Sequence, residues 1–220
     1  MEVKCEKCSY LTVKNGRVKS NGQQRYYCKK CKRSFLETYA NRAYQQNTNI
    51  YLVSLLKEGC GTRSISRILK ISPKTVTRRI LTIASSVKKP MVVKGRTHEM
   101  DELFSFVKLK EQKICIAYAI DRTTKDVVDF RVGRRNKRTL QPIIETLILS
   151  ESKQIRTDKL NIYQSLIPRK IHSVKHRGIN YIERKNLTLR THLKRLNRRT
   201  IGFSRSIVVL AAILRIYFWF

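Results

Sequence analysis

Acidic residues are scarce in this chain. Against 48 Lys and Arg stand only 15 Asp and Glu, a formal net charge of +33 over 220 residues. Self-repulsion at that charge works against a free compact monomer. A polyanionic partner follows, and nucleic acid is the commonest; a membrane surface is the rival. Long apolar runs are missing too. Ser206–Leu214 is free of charge, but it falls short of the roughly 20 residues that span a bilayer. Arg215 then separates it from Ile216–Phe220. We read 206–220 as a buried C-terminal helix and expect no membrane partner. An apolar leader is also lacking: Met1–Lys7 carries Glu2, Lys4, Glu6 and Lys7, which argues against secretion. The expected compartment is reducing. The length suits one good-sized core with small appendages.

Cysteine is limited to six residues. Cys60 and Cys115 stand far apart and read as ordinary interior or half-buried thiols. Cys5, Cys8, Cys28 and Cys31 form two C-x-x-C pairs 19 residues apart. Each pair can present two sulfurs to one ion, and four thiolates close a tetrahedral site. One structural Zn²⁺ is expected, without the open position a catalytic metal needs; two disulfides are the alternative. Turn signals at Asn15-Gly16 and Asn21-Gly22, with β-prone residues at 10–13 and 25–27, suggest a zinc ribbon over residues 1–38. Such a module is too small to fold on its own core, so the metal would supply much of its stability. Lys29, Lys30, Lys32 and Arg33 crowd the second knuckle.

Residues 46–89 read as three helices. Ile50, Val53 and Leu56 keep helical spacing until Gly59 and Gly61 stop them. Thr62 can cap a second helix carrying Ile65, Ile68 and Leu69. Ser72-Pro73 opens a third with the N-cap and first-turn residues a helix favours. Its apolar stripe is Val76, Ile80, Ile83 and Val87; its other face is polar and basic. This pattern fits a helix-turn-helix whose last helix enters a DNA major groove, with Lys74, Thr77 and Arg78 facing the groove. A plain three-helix domain would show the same stripe. Residues 90–97 look like a linker.

Residues 98–220 change to an α/β pattern. Strands are expected at 98–109, 114–120, 126–132, 154–157 and 171–174. Helices are expected at 138–149, 182–196 and 206–220. That order predicts an RNase H-like α/β domain. The acids are few enough to weigh singly. Asp101 lies inside the first strand, where a carboxylate needs a reason. Asp158 stands where the fourth strand ends, a usual place for site residues in open α/β sheets. Glu183 is a lone carboxylate on a helix crowded with Lys and Arg, and no acid follows it. On a phosphate-seeking surface it would repel its own ligand unless a cation lay between, which points to divalent metal. Singly, each has a blander role: surface residue, helix cap, first-turn acid. Together they suggest a metal site. Glu102 is a weaker fourth candidate, expected on the opposite sheet face. Asp121 reads as a turn residue.

Three runs carry a family resemblance: EMDELFSFV at 99–107, TDKLNIY at 157–163, and IERKNLTLRTHLKRLNRRTIGFSRS at 182–206. With YYCKKCKRSF at 26–35, around the second cysteine pair, they resemble the transposases of the insertion-sequence-one family. The resemblance covers nearly the whole chain, and the run at 182–206 is its most specific part. It departs at Phe104, where the family often has Trp, and at Lys159-Leu160, where it often has Gly-Trp. The resemblance implies a prokaryotic DDE transposase, cytoplasmic and associated with the nucleoid. Asp101, Asp158 and Glu183 would be its catalytic triad, holding two Mg²⁺ or Mn²⁺ ions. Arg190, two turns beyond Glu183, would position phosphate. Asn186, Lys194, Arg198 and Arg199 would contact DNA. The partners implied are double-stranded DNA, at element ends and target, and further copies of the chain. A non-enzymatic zinc-ribbon and helix-turn-helix regulator is the rival reading.

Overall fold

A computed structural model describes residues 3–39, 41–45, 47–174, 178–197 and 199–220. The chain forms two compact units, Met1–Thr48 and Asn49–Phe220.

The first unit is a three-stranded antiparallel sheet: β1 (Val13–Arg17), β2 (Gln24–Cys28) and β3 (Arg33–Leu36), in that order. The turn expected at Asn15-Gly16 is not a turn. Gly16 sits inside β1 at φ +67°, and the pairing with β2 slips between Lys14 and Arg17. A glycine with positive φ has made a bulge within the strand instead of a reversal. The reversal falls at the other signal, where the Gly22 N–H bonds the Val18 carbonyl. Cys5, Cys28 and Phe35 are buried together, with Cys8, Cys31 and Tyr26 packed beside them.

The second unit begins with three helices: α1 (Thr48–Lys57), α2 (Thr62–Leu69) and α3 (Pro73–Ser86). Gly61, not Thr62, is the N-cap of α2. Ser72 caps α3 as expected, its hydroxyl accepting the Thr75 N–H. Val76, Ile80, Ile83 and Val87 are all buried. Residues 87–96 form neither helix nor strand.

The rest builds a five-stranded mixed sheet. Its elements are β4 (Thr97–Val107), β5 (Leu109–Asp121), β6 (Val127–Gly133), α4 (Lys137–Leu149), β7 (Gln154–Arg156), α5 (Asn161–Leu166), β8 (His172–Ser173), α6 (Asn180–His192) and α7 (Ile207–Trp219). Strand order is β6-β5-β4-β7-β8. β4, β5 and β6 are antiparallel, and β7 and β8 run parallel to β4. Renumbered from one, this is order 3-2-1-4-5, the arrangement of an RNase H-like sheet. Alternation along the strands feeds two cores. Leu103, Ile116 and Tyr118 meet Ile182, Leu189, Leu210 and Leu214 of α6 and α7. Met100, Ala117 and Ala119 meet Leu140, Ile143 and Tyr163 of α4 and α5. The C-terminal helix is buried along one face, as its composition suggested, and it also packs on α3.

The basic helix is shorter than expected. It ends at His192, and Lys194–Leu196 turns separately as a short 3-10 segment. Leu193 leaves helical geometry (φ −96°, ψ 89°). Leu189, Leu193 and Leu196 are buried together on either side of the break, although their i, i+4, i+7 spacing would place them on one face of a continuous helix as well.

Two local features hold the sheet's first strands. Asp121 is a turn residue, as read: its carboxylate accepts the Thr123 N–H at 2.7 Å. β4 and β5 are joined through Lys108, whose φ is +66° and whose N–H bonds the Ser204 carbonyl at 3.0 Å.

Candidate active site

The site starts from a gap in the sheet. β4 pairs with β7 only over Thr97–Glu99. Beyond Glu99 that edge of β4 is open, so neighbouring side chains on opposite faces can both lean around it. Asp101 and Glu102 do so. Asp101 lies on the α6 face, opposite Tyr118, and Glu102 on the α5 face, bonded by Tyr163. Glu102 thus takes the face the alternation predicted, yet its carboxylate still meets that of Asp101. Asp158, two residues past the end of β7, completes the group: oxygens of Asp101, Glu102 and Asp158 all lie within 4.8 Å of one another.

Each acid is held. Asp101 Oδ2 accepts a hydrogen bond from the Asn186 amide at 2.8 Å, and Asn186 Oδ1 accepts one from the Tyr118 hydroxyl at 2.9 Å. Glu102 Oε1 accepts from the buried Tyr163 hydroxyl at 2.8 Å. Asp158 Oδ1 accepts the Leu160 N–H at 3.0 Å, just before α5. Burial, with the charges of Glu102 and Asp158, pushes the Asp101 carboxyl up to about 6. Burial likewise raises Glu102. Both shifts follow first from burial and then from neighbouring carboxylate charge.

Glu183 stands in the first turn of α6, exposed, and lines the same cavity as Asp101 and Glu102. It is not part of the close carboxylate group. The structure therefore joins two of the expected triad directly and sets the third on the α6 wall of the cavity.

Two tethers fix that wall. Asn186 ties α6 to Asp101. Glu99, fully buried on β4, accepts the Ile182 N–H at 2.9 Å, one residue before Glu183, and is paired with Arg122 at 2.8 Å.

The cavity over the acids measures about 1070 Å³. Asn186, Arg190, Lys194 and Arg199 all line it. Asn186 and Arg190 are also tied internally. Arg190 donates to the Leu196 carbonyl at 2.8 Å and approaches that of Phe104 at 3.4 Å, holding the end of α6 over β4. Arg198 lies outside the described residues. On α3, Lys74 and Arg78 are exposed and Thr77 is half-buried, its hydroxyl donating to the Pro73 carbonyl.

Sequence reasoning missed Arg135. Its guanidinium lies 3.6 Å from Glu102 and 3.9 Å from Asp158, and 5.5 Å from the centre of the Phe104 ring. One cation among 48 carries no signal of its own. Glu99 did carry one, as a third acid within four residues of the same strand.

The cysteine group is a second candidate metal site. All four are free thiols, with sulfur atoms within 4.8 Å of one another. Cys5 to Cys31 is 3.9 Å and Cys8 to Cys28 is 3.6 Å. A tetrahedron with Zn–S bonds of about 2.3 Å has sulfur–sulfur edges of roughly 3.8 Å. The ligands fit that ion.

An RNase H-like sheet with carboxylates gathered at the open edge of its first strand, beneath a basic cavity, defines a DDE-type nuclease or transposase. The family model for IS1 transposase matches residues 96–218. Insertion element IS1 protein InsB of Shigella flexneri is 37% identical over 109 residues, covering 50% of this chain and 83% of that protein. Insertion element IS1 2 protein InsB of Escherichia coli strain K12 is 34% identical over 138 residues, 63% and 78% of the two chains. The chain belongs to the IS1 transposase family. It is a DNA transposase, and the non-enzymatic regulator reading is not favoured. Among solved structures, the HTLV-2 integrase catalytic core domain in complex with magnesium is 13% identical, with TM-score 0.35 over 56% of this chain and 86% of that one. The simian T-cell lymphotropic virus intasome in complex with PP2A regulatory subunit B56 gamma is 13% identical, with TM-score 0.39 over 76% and 67%. Among the described residues no helix is long and apolar enough to cross a membrane.

Proposed function

We propose that Asp101, Asp158 and Glu183 are the catalytic carboxylates, and that this transposase cuts the 3′ ends of its element and joins them to target DNA. The observation that carries this reading is the meeting of Asp101 and Asp158 at an open sheet edge, with Glu183 lining the same basic cavity as Asp101. The all-oxygen donor set and the raised Asp101 pKa suit a hard divalent cation, Mg²⁺ or Mn²⁺. Held by Asp101, Asp158 and Glu183, two such ions would supply Lewis-acid activation of the attacking oxygen and stabilisation of the leaving one.

The protein's own groups do the positioning. Asn186 holds Asp101 in one rotamer and thereby aims its free oxygen at the cavity. Tyr163 does the same for Glu102. Lys194 and Arg199 bind backbone phosphate along the cavity, Arg198 is assigned the same role, and Arg190 braces the wall on which Lys194 and Arg199 stand. Both displacements are in line at phosphorus, so one set of carboxylates serves cleavage and then joining.

The four-cysteine unit binds one structural Zn²⁺. α2 and α3 act as a helix-turn-helix, with Lys74, Thr77 and Arg78 toward the major groove of the element end. Joining two ends requires at least two copies of the chain on DNA. The enzyme works in the prokaryotic cytoplasm, at the nucleoid. The test is divalent-metal-dependent nicking of element-end DNA by Asp158→Asn. A fall of about 1000-fold or more is expected; cleavage at the wild-type rate would sink the assignment.

A further inference from the structure

Joining involves two DNA strands: the end that carries the attacking 3′-hydroxyl and the strand that is attacked. The cavity over α6 accounts for one of them. A second cavity, of about 1020 Å³, opens on the other side of Phe104 and is lined by Lys108, Lys113, Arg134 and Arg135. Phe104 is common to both cavities and is 41% exposed. Arg135 lies over the Phe104 ring on one side and reaches Glu102 and Asp158 on the other. Arg135 and Phe104 thus link the second cavity to the carboxylates of the first.

Its cations are held on firm supports. Lys108 occupies the tight β4–β5 connection pinned to Ser204. Lys113 lies within β5, and Arg134 follows the end of β6. All three are exposed, and among the described residues none is in an ion pair. Glu111 is the one acid among the lining residues. Exposed cations that carry no helix into a groove bind phosphates without reading bases, so they suit a strand of any sequence.

We propose that this second groove holds the target strand. The proposal rests on the transposase reading above. In the step it serves, the element's 3′ oxygen forms a new bond to a target phosphorus, and the target's own bond from that phosphorus to its 3′ oxygen breaks. The proton lost by the attacking hydroxyl is balanced by one gained at the departing oxygen, with no change of oxidation state.

The test uses the full-length protein carrying Lys108→Ala, Lys113→Ala and Arg134→Ala together. Two reactions are measured side by side: 3′ cleavage of an element-end duplex, and joining of a pre-cut end to supercoiled plasmid. Cleavage is expected to stay within about twofold of wild type. Joining should fall about tenfold or more near 100 mM salt and recover as salt is lowered, as lost phosphate contacts require. Joining within twofold of wild type would overturn the proposal. So would a parallel loss of both reactions, which would assign the groove to the element end. Should the triple variant melt early, Lys113→Ala alone carries the test, with an expected threefold loss of joining and the same refuting outcomes. A wild-type protein that neither cuts nor joins would instead overturn the transposase reading beneath it.

Discussion

Glu99 touches no part of the cavity over the acids, yet the position of Glu183 depends on it. Its carboxylate is fully buried and makes two charge-assisted contacts, to Arg122 at 2.8 Å and to the Ile182 N–H at 2.9 Å. Glu99→Ala removes both and leaves the N–H without its acceptor inside the core. Breaking a buried pair costs about 3–5 kcal/mol. The Arg122 side chain is 30% exposed and can rehydrate, which favours the lower end, about 3 kcal/mol. For a unit of this size each kcal/mol moves Tm by about 2–4 °C, so a fall of roughly 6–12 °C follows. Glu99→Gln keeps an acceptor for Ile182 and should lose about half as much. At 20 °C, where the alanine variant stays folded, the start of α6 is no longer tied to β4. Misplacing Glu183 by an ångström would slow cleavage by about 100-fold, and the Mn²⁺ concentration needed for half-maximal cleavage should rise. Binding of element-end DNA, measured by fluorescence anisotropy, should stay within about twofold. An alanine variant that melts within 2 °C of wild type and cleaves normally would refute the reasoning.

Gly59 has φ +76°, and a Cβ there would come 1.9 Å from the His192 carbonyl oxygen. Gly59→Ala should cost about 2 kcal/mol or more, whereas Gly61→Ala, which meets nothing within 4 Å, should melt close to wild type. The raised Asp101 carboxyl makes the metal-free fold sensitive to pH. Its folded pKa of about 6 lies above the ordinary 3.8, so its ionisation costs the fold nothing below pH 4. The penalty grows between pH 4 and 6 and reaches roughly 3 kcal/mol above that. Melting in EDTA should show this slope, Asp101→Asn should flatten it, and Mg²⁺ should offset it at neutral pH. Removing zinc with a chelator should release one ion per chain and unfold residues 1–48. The melting of the second unit should be unchanged, as followed by circular dichroism and limited proteolysis.

Much of this protein is legible along the chain because the signals are local. The C-x-x-C pairs specify a chelate whatever surrounds them. Ser72-Pro73 opens α3, and the stripe from Val76 to Val87 faces a core, because capping and helical period act within a few residues. Asn15-Gly16 shows the limit of such reasoning: the same dipeptide serves as turn or bulge, and pairing with β2 decides. The basic helix shows another limit. Its helical spacing of Leu189, Leu193 and Leu196 continues past His192, yet the helix ends there.

By itself the sequence determined the order of elements, the four-sulfur site, the dearth of acids and the resemblance that marks Asp101, Asp158 and Glu183. Tertiary structure decided what those acids meet. Asp101 and Glu102 alternate across a strand, and only the early end of β7 lets both reach Asp158 around an open edge. Arg135, one cation among many, becomes a neighbour of that cluster because β6 ends beside it. Glu99 becomes an anchor because α6 begins directly above it. Local pattern depends on neighbours in the chain, while a site depends on which strand stops short and which helix crosses there.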